Sequence, residues 1–222
     1  MGEMIVLQAA DGHRLSAYCA SPTAPLVAPL VVLHEFFGLN SHIRNVADRY
    51  AALGYDVIVP GLFDRIEPGV NFDYSPEGIE GGRRMRAQVQ PADSLLDTQA
   101  AIDHVKSRGK LGIIGYCWGG TLAFLSATRL AAVACSVGYY GSQIVDYLGE
   151  PLKAPLMLHF GDTDASIPLS DVERIRSAYP DIPVHIHPGR HGFNCDERAN
   201  FVPESSAAAL KLSLAFFAKH LT

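Results

Sequence analysis

Leu111-Gly112-Ile113-Ile114-Gly115-Tyr116-Cys117-Trp118-Gly119-Gly120-Thr121-Leu122 is the stretch whose reading decides the fold of this chain. It opens as a short apolar run, the pattern of a buried strand. It passes through Gly-x-Cys-x-Gly and continues into an apolar segment compatible with a helix. Strand, sharp turn and helix in that order form a nucleophile elbow, here with a thiol where serine is usual. The glycines have a steric reason, because a side chain at Gly115 or Gly119 would crowd the neighbouring strand and helix. A helix starting just after Cys117 aims free N–H groups and its positive end at the sulfur, which favours a thiolate. Read alone, the motif also fits an ordinary buried cysteine beside a tight turn, so the elbow needs partners elsewhere.

Outward from the elbow, strands and helices alternate. Met4–Ala9 and Arg14–Ala20 flank Asp11-Gly12 and read as an opening hairpin. Leu30–Leu33 is a buried strand that ends at His34-Glu35-Phe36-Phe37-Gly38. A helix follows, with Ile43, Val46, Ala47, Tyr50 and Ala51 on one face and Gly54 as its stop. Val57–Val59 is the next strand. Residues 61–90 read as a long loop plus one helix, a segment expected to shape a pocket. Pro91 opens a helix carrying Leu95, Ile102 and Val105, closed by Gly109. Strands near Ala132–Val137, Leu156–Phe160 and Val184–His187 come next. A last helix, Glu204–His220, sets Leu210, Leu214, Phe217 and Leu221 on one face. This alternation predicts an α/β fold, one domain over 1–222, with a mostly parallel sheet covered by helices on both faces. In such folds the site lies at the carboxyl ends of the strands.

Composition narrows the function. Hydrophobic residues make up 48% and charged residues 18% of 222 residues, a globular balance. A net charge of -5 argues against a nucleic-acid partner. Cys19, Cys117, Cys135 and Cys195 are widely spaced with no C-x-x-C pair, which suits a reducing compartment and no disulfide framework. The opening residues Met-Gly-Glu-Met-Ile-Val-Leu-Gln show neither a signal segment nor a myristoylation site. Leu111–Thr128 carries no charge, yet its four glycines and strand-to-helix break mark a core segment rather than a membrane span. The expectation is a cytoplasmic protein with no membrane partner, monomeric or a small homo-oligomer.

Partners for the thiol follow the next two strands. Leu156–Phe160 runs into Gly161-Asp162-Thr163-Asp164, and Val184–His187 into Gly189-Arg190-His191-Gly192-Phe193. Nucleophile, acid and histidine in that order are the order of α/β-hydrolases. The imidazole of His191 would take the thiol proton, while an aspartate would fix its tautomer and steady the imidazolium. His185, His187, His191 and Cys195 could instead form a metal cluster, a weaker reading because His191 serves better as a base. A non-catalytic binding protein on the same fold is the other alternative.

On these residues the chain resembles the dienelactone hydrolase (carboxymethylenebutenolidase) family. The matching pieces are His34-Glu35-Phe36-Phe37-Gly38, Gly115-Tyr116-Cys117-Trp118-Gly119-Gly120, Gly161-Asp162-Thr163-Asp164 through Ile167-Pro168, and His191-Gly192-Phe193. The resemblance implies an α/β-hydrolase fold without a large cap, no cofactor and no metal, and hydrolysis of an enol lactone or related ester. It makes Cys117 the nucleophile, His191 the base and Asp164, rather than Asp162, the acid. It also sets Glu35 beside the nucleophile, where a carboxylate opposes thiolate formation and can accept the S–H proton. The backbone N–H groups of Phe36 and Trp118 are then the expected oxyanion-hole pair. One departure concerns the substrate carboxylate. Where the best-known members have arginine, four residues after the histidine, this chain has Cys195. Arg83 and Arg84, with Arg86 on the same expected helix and Arg198 beyond, are the candidate replacements.

Overall fold

The structure is a computed structural model and describes residues 2–221. Its strands are β1 (Glu3–Gln8), β2 (Arg14–Ala20), β3 (Ala28–Leu33), β4 (Tyr55–Pro60), β5 (Leu111–Tyr116), β6 (Val133–Tyr139), β7 (Leu156–Gly161) and β8 (Val184–His187). They form one sheet in the order β1-β2-β4-β3-β5-β6-β7-β8. The opening hairpin is antiparallel, and β2 also runs antiparallel to β4. Every other neighbouring pair is parallel. Each residue of β3, β4, β5 and β7 is buried, as expected where helices cover both faces of a parallel sheet.

The helices are α1 (Ser41–Ala52), α2 (Pro76–Arg86), α3 (Pro91–Val105), α4 (Trp118–Arg129), α5 (Leu169–Ala178) and α6 (Pro203–Leu221). α1 starts where the Asn40 side chain accepts the Ile43 N–H, and Gly54 with φ of 95° follows its end. α1 and α6 pack on one face of the sheet, α3 and α4 on the other. α3 stops at Val105, and a short 3-10 turn (Lys106–Arg108) precedes Gly109.

The buried face of α6 differs from the expected one. It runs through Ser205, Ala209, Ser213, Phe216, Phe217 and Leu221, while Leu210 and Leu214 are only half-buried on its flank. Small residues along this stripe let the helix approach the sheet closely. The Ser213 hydroxyl is then satisfied by Tyr139 Oη at 2.8 Å and His159 Nε2 at 3.1 Å, which offsets the cost of burying it. A hydrophobicity pattern cannot reveal a polar core contact of this kind.

Residues 61–75 are irregular, and α2 follows as the single helix before α3. Ser75 caps α2 by accepting the Gly78 N–H, and Pro76 stands at its first turn. Met85, Phe63 and Val89 form a small cluster with Phe36, Val70 and Phe72, which holds this segment over the carboxyl ends of the strands. No larger lid covers them among the described residues. Among the described residues, no helix is long and apolar enough to cross a membrane.

Candidate active site

The elbow is built by backbone crowding. A β-carbon on Gly115 would collide with the Gly119 carbonyl, and one on Gly119 with that of Leu33. β3, β5 and α4 can therefore meet only with glycine at both places. Cys117 sits between them at φ 54°, ψ -115°, a conformation that costs a non-glycine residue on the order of 1–3 kcal/mol. Its N–H donates to the Tyr139 carbonyl at 3.0 Å, and the Gly119 N–H to that of His34 at 3.1 Å. These bonds hold the thiol at the head of α4, where it faces a cleft of about 550 Å³.

Across the cleft, the turn after β8 presents His191 and the turn after β7 presents Asp164. His191 Nδ1 donates to Asp164 Oδ2 at 2.7 Å, and Asp164 Oδ1 accepts the Ser166 N–H at 2.8 Å. Asp164 is buried; Asp162 is exposed and accepts the Gly189 N–H instead. Burial works against charge on His191, but the adjoining Cys117 sulfur and the Asp164 carboxylate overcome it and raise the imidazole to about 10. The Tyr140 ring packs edge-on against His191 at 5.0 Å.

Phe36 and Trp118 border the same cleft, and the backbone N–H of neither has an acceptor among the described residues. Glu35 lies behind Phe36, only 3% exposed. Tyr74 Oη donates to its Oε2 at 3.3 Å, while its Oε1 has no hydrogen-bond partner and stands 3.8 Å from Arg198 Nη1.

Of the candidate arginines, Arg83 lines the cleft, and Arg84 is exposed on α2 away from its lining. Arg86 and Arg198 line it too. The Arg86 guanidinium carbon sits 3.4 Å from the centre of the Trp118 ring, and its N–H groups donate to Gln143 and to the Val89 carbonyl. An arginine stacked and tied in this way is already oriented before any ligand arrives. Helical spacing explains the split, since Arg83 and Arg86 share a face of α2 that Arg84 does not.

Sequence reasoning missed Gln143, Tyr74 and Tyr140. Gln143 follows β6, and a polar residue just past a central strand end is a signal that could have been used. No motif marks Tyr74. The histidines considered for a metal do not come together with Cys195. His185 and His187 stack with His159 under α6, His191 faces Asp164, and Cys195 is buried near Glu35.

The model of the dienelactone hydrolase family matches residues 15–221. This chain belongs to the dienelactone hydrolase family. It is 30% identical over 227 residues to a carboxymethylenebutenolidase of Pseudomonas putida, covering 97% of this chain and 96% of that protein. A Synechocystis protein provisionally named carboxymethylenebutenolidase is 36% identical over 217 residues, 88% of each chain. A crystal structure from Klebsiella pneumoniae, provisionally named a dienelactone hydrolase, superposes with a TM-score of 0.81 at 29% identity, covering 97% of this chain and 99% of that one. The fold is that of α/β-hydrolases, and the chain is a hydrolase of ester or lactone bonds.

Proposed function

We propose that this dienelactone hydrolase family member opens a small, carboxylate-bearing enol lactone or a similarly activated ester through a thioester on Cys117. The observation that carries this reading is the Asp164–His191 pair facing Cys117 in one cleft with two unengaged backbone N–H groups. As substrate binds, Cys117 Sγ passes its proton to His191 Nε2, forming the thiolate–imidazolium pair to which the raised imidazole value belongs, and the thiolate attacks the carbonyl carbon. The oxygen gains negative charge and receives hydrogen bonds from the N–H groups of Phe36 and Trp118. The intermediate collapses, the C–O bond breaks, and the imidazolium protonates the departing oxygen. Water activated by His191 then attacks the thioester, and the thiol regains its proton as the acid leaves. Asp164 keeps Nδ1–H pointed inward and steadies the imidazolium throughout.

Glu35 restrains the resting thiol in this scheme. Its negative charge disfavours a second negative charge nearby, so the sulfur is held as a thiol until substrate binds. Arg86, with Arg83 and Arg198 bordering the same space, supplies the positive charge that a substrate carboxylate needs in an otherwise acidic protein. Arg84 has no part in it. The protein works as one catalytic unit without a cofactor, on a small molecule, as a monomer or small homo-oligomer. Four unpaired cysteines suit the cytoplasm.

Steady-state hydrolysis of an anionic lactone and of a neutral aryl ester, by wild type and Cys117→Ala, tests the reading. Loss of turnover on both in a folded variant, with a trapped acyl mass on Cys117 in wild type, is expected. Appreciable turnover by folded Cys117→Ala overturns it. A preference for the neutral ester would favour a broad-specificity carboxylesterase.

A further inference from the structure

Tyr140, the residue after β6, carries two costs at one place. Its φ of 39° is strained for a residue other than glycine, and its buried hydroxyl has no hydrogen-bond partner among the described residues. The backbone is held there by its own N–H, which donates to the His159 carbonyl at 2.7 Å. The ring packs edge-on against His191 at 5.0 Å and Phe193 at 5.5 Å. Phenylalanine would fill the same space without stranding an oxygen, so packing alone gives no reason for a tyrosine. The sheet order decides what that oxygen meets. β3, β5 and β6 are neighbours, and Glu35, Cys117 and Tyr140 follow their carboxyl ends. Burial, and then the negative charge of Glu35 with Cys195, Tyr116 and Cys117 behind it, push the phenol well above the usual tyrosine range. Oη therefore keeps its hydrogen and can only be a neutral donor or acceptor. Glu35 has the complementary need. Its Oε2 accepts from Tyr74 Oη at 3.3 Å, while Oε1 is buried without a hydrogen bond and faces Arg198 Nη1 at 3.8 Å. Cys195 is already paired with Tyr74.

We propose that Tyr140 is a positioning residue for Glu35, whose hydroxyl donates to Oε1 when a substrate carboxylate engages Arg198. The inference rests on the hydrolytic reading above, in which Glu35 restrains the Cys117 thiol. Arg198 borders the cleft and cannot neutralise Glu35 and a substrate carboxylate equally. Without its cation, Glu35 would oppose the thiolate most strongly at the moment the thiolate is needed. A hydrogen bond from Tyr140 removes that conflict, because it spreads the carboxylate charge onto a neutral donor. The longer side chain of Glu35 makes the movement, since the Tyr140 ring is wedged in place. The Cys117 proton still goes to His191, and Tyr140 keeps its own throughout. Donor and acceptor stay unpaired at rest and meet only once substrate is bound, so their bond favours the reacting state over the resting one.

Tyr140→Phe keeps the ring and removes the oxygen. Its urea midpoint should equal or exceed that of wild type, because a buried unsatisfied group is lost. Alkylation of Cys117 in the free enzyme by iodoacetamide should follow the wild-type pH profile, because Oη has no partner at rest. With an anionic lactone, kcat should fall about 10–100-fold, the worth of a hydrogen bond to a charged group, while KM changes little. The loss on a neutral aryl ester, which leaves Arg198 with Glu35, should be far smaller. Most of the loss on the lactone should also disappear in a Glu35→Gln background. Wild-type turnover of the anionic lactone by Tyr140→Phe overturns the inference, as does an altered alkylation profile of the free enzyme. A loss of equal size on both substrates, or one undiminished in Glu35→Gln, overturns it too and confines Tyr140 to packing on His191. None of these results touches the hydrolytic reading, which folded Cys117→Ala tests by itself.

Discussion

Two groups of buried histidine at neighbouring strand ends behave in opposite ways. His159 on β7 and His185 and His187 on β8 stack beneath α6, with His159 Nδ1 2.9 Å from His187 Nε2. Burial, reinforced by the neighbouring imidazoles, pushes His159 well below the usual histidine range. His185 and His187 are lowered too, by burial first. His191, a few residues past the end of β8, is also largely buried but is raised. The difference lies in the partners. The stacked histidines meet one another, the Ser213 hydroxyl and, at His185, the Arg176 guanidinium, none of which favours a proton, whereas His191 meets a carboxylate and a sulfur. A buried imidazole takes its charge from what it touches, and only one of the two groups touches an acid.

The largest effects should come from removing that distinction. His191→Ala and Asp164→Asn should each lower kcat/KM by roughly 10³–10⁴, and the double variant should lose little more, because the three residues act as a unit. Asp162→Asn should cost far less. If steady-state rates ranked the aspartates in reverse, the contrast would rest on the wrong carboxylate. Conversely, His159→Ala should cost about 2–3 kcal/mol in urea unfolding, because it empties a packed site, removes the partner of His187 Nε2 and leaves the Ser213 hydroxyl with Tyr139 alone. Turnover of the folded protein should be nearly unchanged. A large loss of kcat would mean that the stacked group serves the chemistry as well.

Acid should separate the two groups further. The stacked histidines have folded values below their unfolded ones, so unfolding takes up protons below about pH 6.5. Stability should therefore fall with acidity, by up to about 1.4 kcal/mol per pH unit for each histidine. His191 has the opposite sign. Its contribution is complete below about pH 6.5 and fades as pH rises towards about 10. Urea midpoints between pH 5 and 7 should show the first trend, and His185→Gln should flatten it. An unaltered slope would show that His185 is not among the groups responsible.

Two smaller effects test the surroundings of His191. Arg86→Gln should reduce kcat/KM for a carboxylate-bearing lactone about tenfold more than for a neutral ester. Equal losses would limit Arg86 to packing on Trp118. Glu35→Gln should speed alkylation of Cys117 near neutral pH by a few-fold and lower turnover. An alkylation profile against pH identical to wild type would leave Glu35 as a structural acid.

Much of this was legible before any coordinates. Strand, turn and helix at residues 111–122 and the order of Cys117, Asp164 and His191 are local patterns, so the sheet and the facing groups could be anticipated. The inward stripe of α6 was not, because Ser205 and Ser213 are buried by contacts that come from distant strands. Arg86 could be distinguished from Arg84 only with the register of α2 over Trp118 in hand. Gln143 and Tyr74 reach the site from loops that carry no periodicity at all.

The burial of the other thiols has a practical consequence. Cys19 is pushed up to about 11 and Cys135 and Cys195 to about 12, chiefly by burial, and none of them lines the cleft. Cys117 does, in a cleft that Arg83, Arg86 and Arg198 also line. A small acidic electrophile should therefore mark one sulfur of four without any cysteine being mutated. Counting the label per chain would give the fraction of a preparation that is competent.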